Sequence, residues 1–321
     1  MQHVVLDTDL AMGAPGSDID DGFALALALA DPGIALDLVT TVAGNTDVQT
    51  ATTLTLELLH RLGHPEVPVH RGAWTPLLRP AARTGSVPAG TPVRSPRPGP
   101  AAVAMVEHVL AHPGEVTVVA IGPLTNVALA LRLEPGFAAA LGGLVVMGGT
   151  FLSPAHDLST PGEWNVWCDP EAAEVVLGSG VRARWVGLDV TRQVRLDLDA
   201  ARRMAASERP FLAFAGEFTQ AWIAHVGTSW GQDGRSCALH DPLAVAAVTR
   251  PDLLTWRAAD VVVETGDRLR GAVLAEFLDD AEDPDGAGDG AGGGRGGNAQ
   301  VAVGVDAAGF ARHFEELLAR V

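Results

Sequence analysis

Residues 3–9 read HVVLDTD, and residues 18–30 read DIDDGFALALALA. The first stretch is a short β-branched run that ends in acids, which is typical of a buried strand whose carboxyl end opens on a polar loop. The second stretch has an acidic first turn followed by apolar residues, which is typical of the start of a helix. A buried strand followed by such a helix predicts the beginning of a parallel α/β sheet.

The same alternation of short β-branched runs and longer Ala- and Leu-rich segments continues along the chain. It predicts an α/β fold, with an open and mostly parallel sheet flanked by helices. The predicted strands are 4–6, 36–42, 67–69, 116–121, 144–147, 184–188 and 299–303. The predicted helices are 20–30, 47–62, 101–111, 124–133, 170–177, 242–249 and 306–320.

Two segments interrupt this pattern. Residues 72–100 are rich in Pro, Gly and Arg and predict a long irregular loop. Residues 283–297 read DPDGAGDGAGGGRGG, a low-complexity composition that predicts a flexible Gly-rich loop. Because a predicted strand and helix follow the second segment, we expect it to interrupt one domain that spans 1–321 rather than to end it.

The amino-acid composition excludes several catalytic mechanisms. All 22 basic side chains are Arg, and the chain has no Lys and no Tyr. A Schiff-base lysine, a P-loop lysine and a tyrosine nucleophile are therefore excluded. The formal net charge of −17 disfavours a nucleic acid as partner, because binding a phosphate backbone needs a basic surface. Small substrates and cations remain.

The chain shows no targeting or membrane segment. Its first residues, MQHVVLDTD, lack the charged start and apolar run of a signal peptide. No segment approaches the roughly 20 apolar residues that cross a bilayer. Two cysteines, Cys168 and Cys237, give no disulfide framework. We therefore expect a cytoplasmic protein that does not bind membranes.

Oxygen-bearing side chains follow the predicted strands, where ligands of open α/β sheets bind. If these loops converge, like-charge repulsion would destabilise the carboxylates unless a cation lay among them. Ca²⁺ takes about six to eight oxygen ligands, whereas Zn²⁺ prefers His and Cys, so a hard cation is expected. The residues are Asp7, Asp9, Asp18, Asp20, Asp21, Asn45, Thr125, Asn126, Asp157, Glu163, Asn165, His240 and Asp241.

A series of motifs in a fixed order carries a resemblance to a known family. They are VVLDTD, DIDDGFALALAL, VAGN, GPLTN, VMGG, EWNVWCDPEAA and HDP. In this order, over almost the whole chain, they resemble the nucleoside hydrolases of the inosine–uridine-preferring type. The resemblance implies a Rossmann-like nucleoside hydrolase fold and a Ca²⁺-dependent enzyme that splits ribonucleosides into ribose and free base. It also suggests a homodimer or homotetramer.

The resemblance further implies roles for individual residues. Asp9 is similar to the general base that activates a calcium-bound water, and His240 to an acid that protonates the leaving base. The implied calcium ligands are Asp9, Asp21, the backbone carbonyl of Thr125, and Asp241. The implied substrate-binding residues are Asp20, Asn45, Met147, Asp157, Glu163, Asn165 and Asp241.

The chain also departs from the family pattern. Residues 10–19 separate Asp9 from Asp20, where the family has a short loop. We expect these extra residues either to form a flap over the pocket or to change which Asp binds the cation. In the second case Asp18 is the alternative ligand. Asp157 stands where the family typically has Asn. Tyrosines that some members use near the leaving base are absent, and the available substitutes are Trp74, Trp222, His225 and Trp230.

Two other functions compete with this one. The VVLDTD motif is also similar to the nucleophile motif of haloacid-dehalogenase-like phosphatases, although no Lys is present to neutralise a phosphate. The altered loops and Asp157 also fit a non-catalytic, calcium-dependent protein that binds nucleosides or ribose. The histidines outside the motifs show no partner in the sequence, so we interpret them as surface or core residues: His3, His70, His108 and His112.

Overall fold

A nine-stranded sheet organises the protein in the computed structural model, which describes residues 1–14, 16–153, 160–229, 233–278 and 297–321. Its strand order is β10-β9-β11-β6-β5-β4-β1-β2-β3, and a separate small sheet pairs β7 with β8. The strands are β1 Gln2–Thr8, β2 Ile34–Thr41, β3 Val69–Arg71, β4 Val116–Ala120, β5 Gly143–Met147, β6 Ala183–Val186, β7 Arg195–Asp197, β8 Ser236–Ala238, β9 Leu254–Val263, β10 Val273–Phe277 and β11 Ala299–Val305.

Helices cover both faces of the large sheet. They are α1 Asp20–Ala30, α2 Val48–Arg61, α3 Ala101–Ala111, α4 Thr125–Leu133, α5 Phe137–Ala140, α6 Trp164–Cys168, α7 Pro170–Leu177, α8 Leu188–Thr191, α9 Leu198–Ala205, α10 Pro210–Ser229, α11 His240–Thr249 and α12 Ala307–Leu318, with a 3₁₀ turn at Pro251–Leu253. None of the helices in the described part of the chain combines the length and apolarity needed to cross a membrane.

The sheet separates two hydrophobic cores. Phe23 of α1 belongs to the core on one face, where its ring meets those of Phe211 and Phe314 edge-on at 6.2 and 5.4 Å between centroids. Trp185 of β6 belongs to the core on the other face and is fully buried. Because the central strands bury side chains on both faces of the sheet, their sequences are nearly continuous hydrophobic runs. Strand β4, with the sequence VTVVA, is an example.

The predicted α/β class is confirmed, because the sheet is parallel from β3 through β11 and flanked by helices. Strands β9 and β10 are antiparallel and were not predicted. Leu188, predicted to end a strand, begins α8 instead. The predicted Gly-rich loop lies almost wholly outside the described residues, and the single domain over 1–321 stays a prediction. Strands from both ends of the chain, β1 and β11, belong to the same sheet.

Parallel strands β1, β2, β4 and β5 are adjacent and end at the same edge of the sheet. Their carboxyl ends lead directly into the segments that the sequence marked as rich in oxygen donors. This edge is therefore where the fold gathers those side chains.

Candidate active site

Asp9 follows β1 and is held by the loop after β2. Its Oδ2 accepts the backbone N–H of Asn45 at 2.6 Å, and its Oδ1 lies 3.5 Å from Asn45 Nδ2. The close approach depends on glycine, because a Cβ on Gly44 or on Gly122 would meet the Asp9 carboxylate. Two sheet-edge loops thus fix the position of this fully buried acid.

Asp21 in the first turn of α1 lies beside Asp9. Its Oδ1 accepts the hydroxyl of Thr8, and its Oδ2 accepts Nδ2 of Asn45 at 3.2 Å. The Asn45 side chain therefore contacts both carboxylates. Acids in the first turn of a helix are also favoured by the helix dipole, which explains why α1 can begin with two of them.

Asp20 joins α1 to the distant helix α11. Its Oδ2 accepts the backbone N–H groups of His240 at 3.0 Å and Asp241 at 3.3 Å. Side-chain oxygens of Asp20, Asp21 and Asp241 then lie within 4.8 Å of one another, and all three residues are buried. In the described part of the chain this is the group of acids able to hold a metal ion.

Burial and mutual repulsion both disfavour ionisation of the acids at this site. Burial, followed by the charge of Asp21, raises the pKa of Asp9, and burial followed by the charge of Asp20 raises the pKa of Asp241. The same two causes raise the pKa of Asp21 to about 7. These carboxylates resist simultaneous ionisation, because each one adds negative charge to a site that already lacks solvation.

A second group of predicted residues is held by the backbone around β5. Glu163 caps α6 and accepts N–H groups from Gly149 at 3.0 Å, Asn165 at 2.9 Å and Val166 at 3.1 Å. Nδ2 of Asn165 donates to the carbonyls of Ile121 at 2.9 Å and Met147 at 3.2 Å. Despite the three amide donors, burial raises the pKa of Glu163.

A cavity of about 940 Å³ collects most of the predicted residues. The predicted residues that line it are Asp20, Asn45, Met147, Glu163, Asn165, His240 and Asp241, joined by Asp18 and Trp222. Asp18, the rival acid of the inserted loop, is thus at the cavity wall, and burial followed by the charge of Asp20 raises its pKa. Asp157 and Trp230 lie outside the described residues.

Three predicted ligands are not part of this lining. Asp9 and Asp21 are buried behind it, next to the lining residue Asn45. The Thr125 hydroxyl donates to Asp169 Oδ2 at 2.6 Å at the start of α4. Side-chain geometry thus brings Asp21 and Asp241 together with Asp20, which the sequence placed among the substrate-binding groups.

Asp7 lies deeper than these acids. Its Oδ1 accepts the Thr40 hydroxyl at 2.6 Å and Asn126 Nδ2 at 2.8 Å, while its Oδ2 is buried without a hydrogen-bond partner in the described structure. Burial raises the pKa of Asp7 to about 7. Its contacts join β1, β2 and α4, so it supports the loops that carry the other acids.

Sequence reasoning missed the basic and aromatic part of the wall. Arg83, Arg192 and Arg195 line the cavity, and Arg83 lies 3.9 Å above the ring of Trp164, which itself stacks on Trp167 at 5.2 Å. The EWN motif identified Glu163 and Asn165, so the residue between them was an available signal for Trp164. Arg83 belongs to the irregular segment 72–100, where no local pattern indicates which side chain faces the cavity.

The proposed substitutes for tyrosine separate into two groups. Trp222 lines the cavity, and the ring of His225 stacks on it at 5.4 Å with an interplanar angle of 17°. Trp74 is 58% exposed and lies under Arg71. Among the named substitutes that the structure describes, Trp222 is therefore the aromatic residue that lines the cavity.

A mostly parallel sheet with buried acids and a large cavity at its carboxyl edge defines an α/β protein whose ligand site lies at that edge. The sequence profile described as inosine-uridine preferring nucleoside hydrolase matches residues 4–312, and the chain belongs to this family. The protein is accordingly a hydrolase acting on N-glycosyl compounds. The phosphatase alternative is left without support.

Similar proteins cover nearly the whole chain. The non-specific ribonucleoside hydrolase RihC of Salmonella typhi is 35% identical over 330 residues, with 99% of this chain and 98% of that protein aligned. Among solved structures, a plant nucleoside hydrolase has a TM-score of 0.82 at 28% identity over 99% of this chain and 98% of that one. A purine-preferring ribonucleoside hydrolase from Gardnerella vaginalis has a TM-score of 0.83 at 26% identity, with the same coverage.

Proposed function

We propose that the protein hydrolyses the N-glycosidic bond of ribonucleosides, giving ribose and free base, in the cavity beside Asp20 and Asp241. The observation that carries this proposal is the buried triad Asp20, Asp21 and Asp241, whose oxygens lie within 4.8 Å of one another. Family membership and the ribonucleoside hydrolases among the relatives support the reaction class.

The donor set fits Ca²⁺. All three close side chains offer carboxylate oxygens, and no His or Cys joins them within the described residues, which is the chemistry of a hard cation rather than of zinc. The raised pKa values of Asp21 and Asp241 fit as well, because a cation would relieve the repulsion that causes part of the shift. Asp20, Asp21 and Asp241 would hold the ion, which supplies Lewis acidity toward water.

Asp9 is the proposed general base. The Asn45 side chain contacts both Asp9 and the proposed ligand Asp21, so Asp9 lies beside the proposed ion, where a carboxylate can take a proton from an ion-bound water. Oδ2 of Asp9 is fixed by the Asn45 N–H at 2.6 Å, so the carboxylate is held in one orientation. Asp9 lies behind the cavity wall, next to the lining residue Asn45.

Ribose recognition is assigned to the polar wall of the cavity. Asn165 donates its amide N–H groups to backbone carbonyls, which directs its Oδ1 away from them and leaves that oxygen to accept a sugar hydroxyl. Asp20, Glu163 and Asp241 add carboxylates beside the ring. Negative charge at this place stabilises a transition state with oxocarbenium character. A deoxy sugar would leave buried acceptors unpaired, so ribose is preferred.

The leaving base is assigned to the side of the cavity that carries His240 and Trp222. Nδ1 of His240 lies 2.7 Å from the Thr191 hydroxyl, which fixes the orientation of the imidazole ring. The Trp222 ring offers an apolar face for a planar base. His240 is the proposed acid toward the departing base.

Ribose release from a panel of ribonucleosides with Ca²⁺ tests the proposal. We expect turnover that EDTA abolishes and that Asp9→Ala reduces far more than it weakens substrate binding. Asp199→Asn, at an exposed pair with Arg202, is the matched control and should retain full activity.

Each contrary result has a distinct meaning. Ribose release that persists in metal-free protein would contradict the role of the cation. Tight nucleoside binding without turnover would identify a binding protein, and hydrolysis of a phosphomonoester alone would restore the phosphatase alternative. Cytoplasmic location and a homodimeric or homotetrameric state stay predictions, which fractionation and light scattering can check.

A further inference from the structure

A short helix of the cavity wall is held by a distant part of the chain. Helix α6 carries two of the side chains assigned to ribose recognition, with Glu163 as its N-cap and Asn165 in its first turn. Residues 264–272 connect β9 to β10 and contact this helix, and here we name them the β9–β10 turn. The polar contacts to the helix come from Arg270, which lies 103 residues from its partner Trp167 in the sequence.

The β9–β10 turn packs against the backbone at both ends of α6. The N–H of Gly162, just before Glu163, donates to the carbonyl of Arg270 at 3.2 Å. A Cβ on Gly162 would collide with the backbone of Gly271, and a Cβ on Gly271 would collide with the backbone of Trp167. Gly271 also has a φ of +75°, a conformation that favours glycine. The two segments therefore approach each other as closely as bare backbone allows.

The Arg270 side chain closes the C-terminal end of α6. The last carbonyls of a helix have no partner within it, and α6 is only five residues long. Nε of Arg270 donates to the Trp167 carbonyl at 3.1 Å, and its Nη2 donates to the Cys168 carbonyl at 3.2 Å. A cation at this end is also favoured by the helix dipole. Arg270 thus supplies the donors that the short helix lacks.

Glu171 of α7 fixes the guanidinium in this orientation. Its two carboxylate oxygens accept Nη1 of Arg270 at 2.8 Å and Nη2 at 3.1 Å, which makes the pair bidentate. The side chains of Arg270 and Glu171 are only 7% and 11% exposed. Because a buried guanidinium with two carboxylate contacts has one favoured geometry, the carbonyls of α6 are held in one position as well.

The place of α6 decides what the cavity wall offers to a sugar. Glu163 accepts two N–H groups from α6 itself, and Nδ2 of Asn165 donates to the carbonyls of Ile121 and Met147. A shift of the helix would carry both side chains with it. Groups that bind a substrate must be held within about 0.5 Å of their productive geometry, so a contact that fixes the helix also fixes the site.

We propose that Arg270 is a positioning residue for the ribose-binding wall, because it holds α6 so that Glu163 and Asn165 face the sugar. The inference rests on the proposed function, which assigns these two side chains to ribose. Arg270 is not among the residues that line the cavity, and it acts on the substrate only through the helix.

Arg270→Met tests the proposal, because Met keeps an apolar stem of similar length and removes every donor. The KM for ribonucleosides should rise about 10-fold while kcat changes less than about 2-fold, the signature of lost ribose binding. Arg250→Met is the matched control, since Arg250 forms an exposed pair with Asp252, and it should behave like the parent. Circular dichroism establishes folding. The Arg270→Met/Glu171→Met variant removes the whole pair, leaves no buried charge unpaired and should show the same KM.

A double-mutant cycle with Asn165→Ala separates positioning from general destabilisation. If Arg270 acts through this helix, the rise in KM for Arg270→Met/Asn165→Ala should be smaller than the product of the two single effects. Amide hydrogen exchange without substrate gives a readout independent of activity. Exchange over residues 163–168 should be faster in Arg270→Met than in the parent, and unchanged in Arg250→Met.

Several results would overturn the proposal. These are a parent-like KM in Arg270→Met, an equal rise in Arg250→Met, effects that multiply fully in the double variant, and parent-like exchange over residues 163–168. A parent protein that releases no ribose, combined with faster exchange over 163–168 in Arg270→Met, would instead contradict the proposed hydrolase function and leave the hold of Arg270 on α6 supported.

Discussion

Gly44 and Asp9 are packed so closely that no side chain fits between the Gly44 backbone and the Asp9 carboxylate. The same loop supplies the Asn45 N–H that holds Asp9 Oδ2 at 2.6 Å. The position of the proposed general base therefore depends on Gly44, a residue of a neighbouring loop that has no side chain to take part in the reaction.

Replacing Gly44 with Ala is expected to displace Asp9 and lower kcat/KM by about 100-fold, because a catalytic group misplaced by about 1 Å can cost that much. Substrate affinity, measured with a non-hydrolysed analogue, should change much less. Gly178→Ala, at an exposed helix end where the new Cβ meets nothing closer than 3.3 Å, is the control. Unaltered turnover in Gly44→Ala would show that Asp9 is not the base.

Asp241→Asn is expected to have opposite effects on stability with and without metal. In metal-free protein it removes one of three crowded, buried carboxylates, so the unfolding temperature should rise. With Ca²⁺ added, the parent should gain stability by mass action and the variant should gain little. We expect kcat/KM to fall by about 100-fold or more.

Thermal unfolding in EDTA and across a Ca²⁺ titration measures both effects. Asp199→Asn, an exposed acid paired with Arg202, should follow the parent throughout. A variant that loses stability in EDTA, or that still responds to Ca²⁺ like the parent, would remove Asp241 from the metal site.

Local sequence patterns predicted those site residues that directly follow a strand in the sequence. The bounds of α1 at Asp20–Ala30 match the prediction, because its acidic first turn and the Asp31-Pro32 stop are local signals. The acids after β1 and the EWN motif likewise follow buried runs. Parallel strands end at one edge, so short-range patterns were sufficient to predict which polar residues converge.

Other features depend on contacts that no local pattern records. Helix α10, Pro210–Ser229, was not predicted; Gly216 allows it to approach α9, since a Cβ there would meet the backbone of Ala201 and Ala205. Arg83 reaches the cavity from an irregular segment and is placed by the Trp164 ring. The meeting of His3, Asp37 and His108 requires a bulge and residues from three elements, which the sequence alone does not bring together.

Thr191→Val is expected to lower kcat about 10-fold while leaving KM nearly unchanged. The Thr191 hydroxyl lies 2.7 Å from His240 Nδ1 and orients the proposed acid without belonging to the cavity wall. Loss of such an orienting partner typically costs about 10- to 100-fold. Thr191→Ser keeps the hydroxyl and should restore most of the rate.

Steady-state kinetics with a nucleoside whose base needs protonation provide the readout, together with the pH dependence of kcat. The loss in kcat should appear in Thr191→Val but not in Thr191→Ser. Parent-like rates in Thr191→Val, combined with a large loss in His240→Ala, would show that the hydroxyl does not position the imidazole.

His313 of α12 is expected to make the protein less stable in acid. Burial lowers the pKa of His313, although Asp31 lies 3.9 Å away and opposes the shift, and its Nε2 has no hydrogen-bond partner within the described structure. A lowered folded-state pKa means that the unfolded chain binds a proton first. Stability is therefore complete above the unfolded pKa of about 6.5 and falls as the pH decreases from there toward the folded-state pKa.

His313→Leu removes this titration and should make the free energy of unfolding fall less between pH 7 and pH 5.5 than it does in the parent. Urea unfolding at a series of pH values measures the difference, with Ca²⁺ held saturating so that the acids of the cavity contribute equally to both proteins. His60→Leu, at an exposed helix position, is the control and should leave the slope unchanged. Parallel pH profiles for His313→Leu and the parent would mean that His313 is solvated and does not oppose folding in acid.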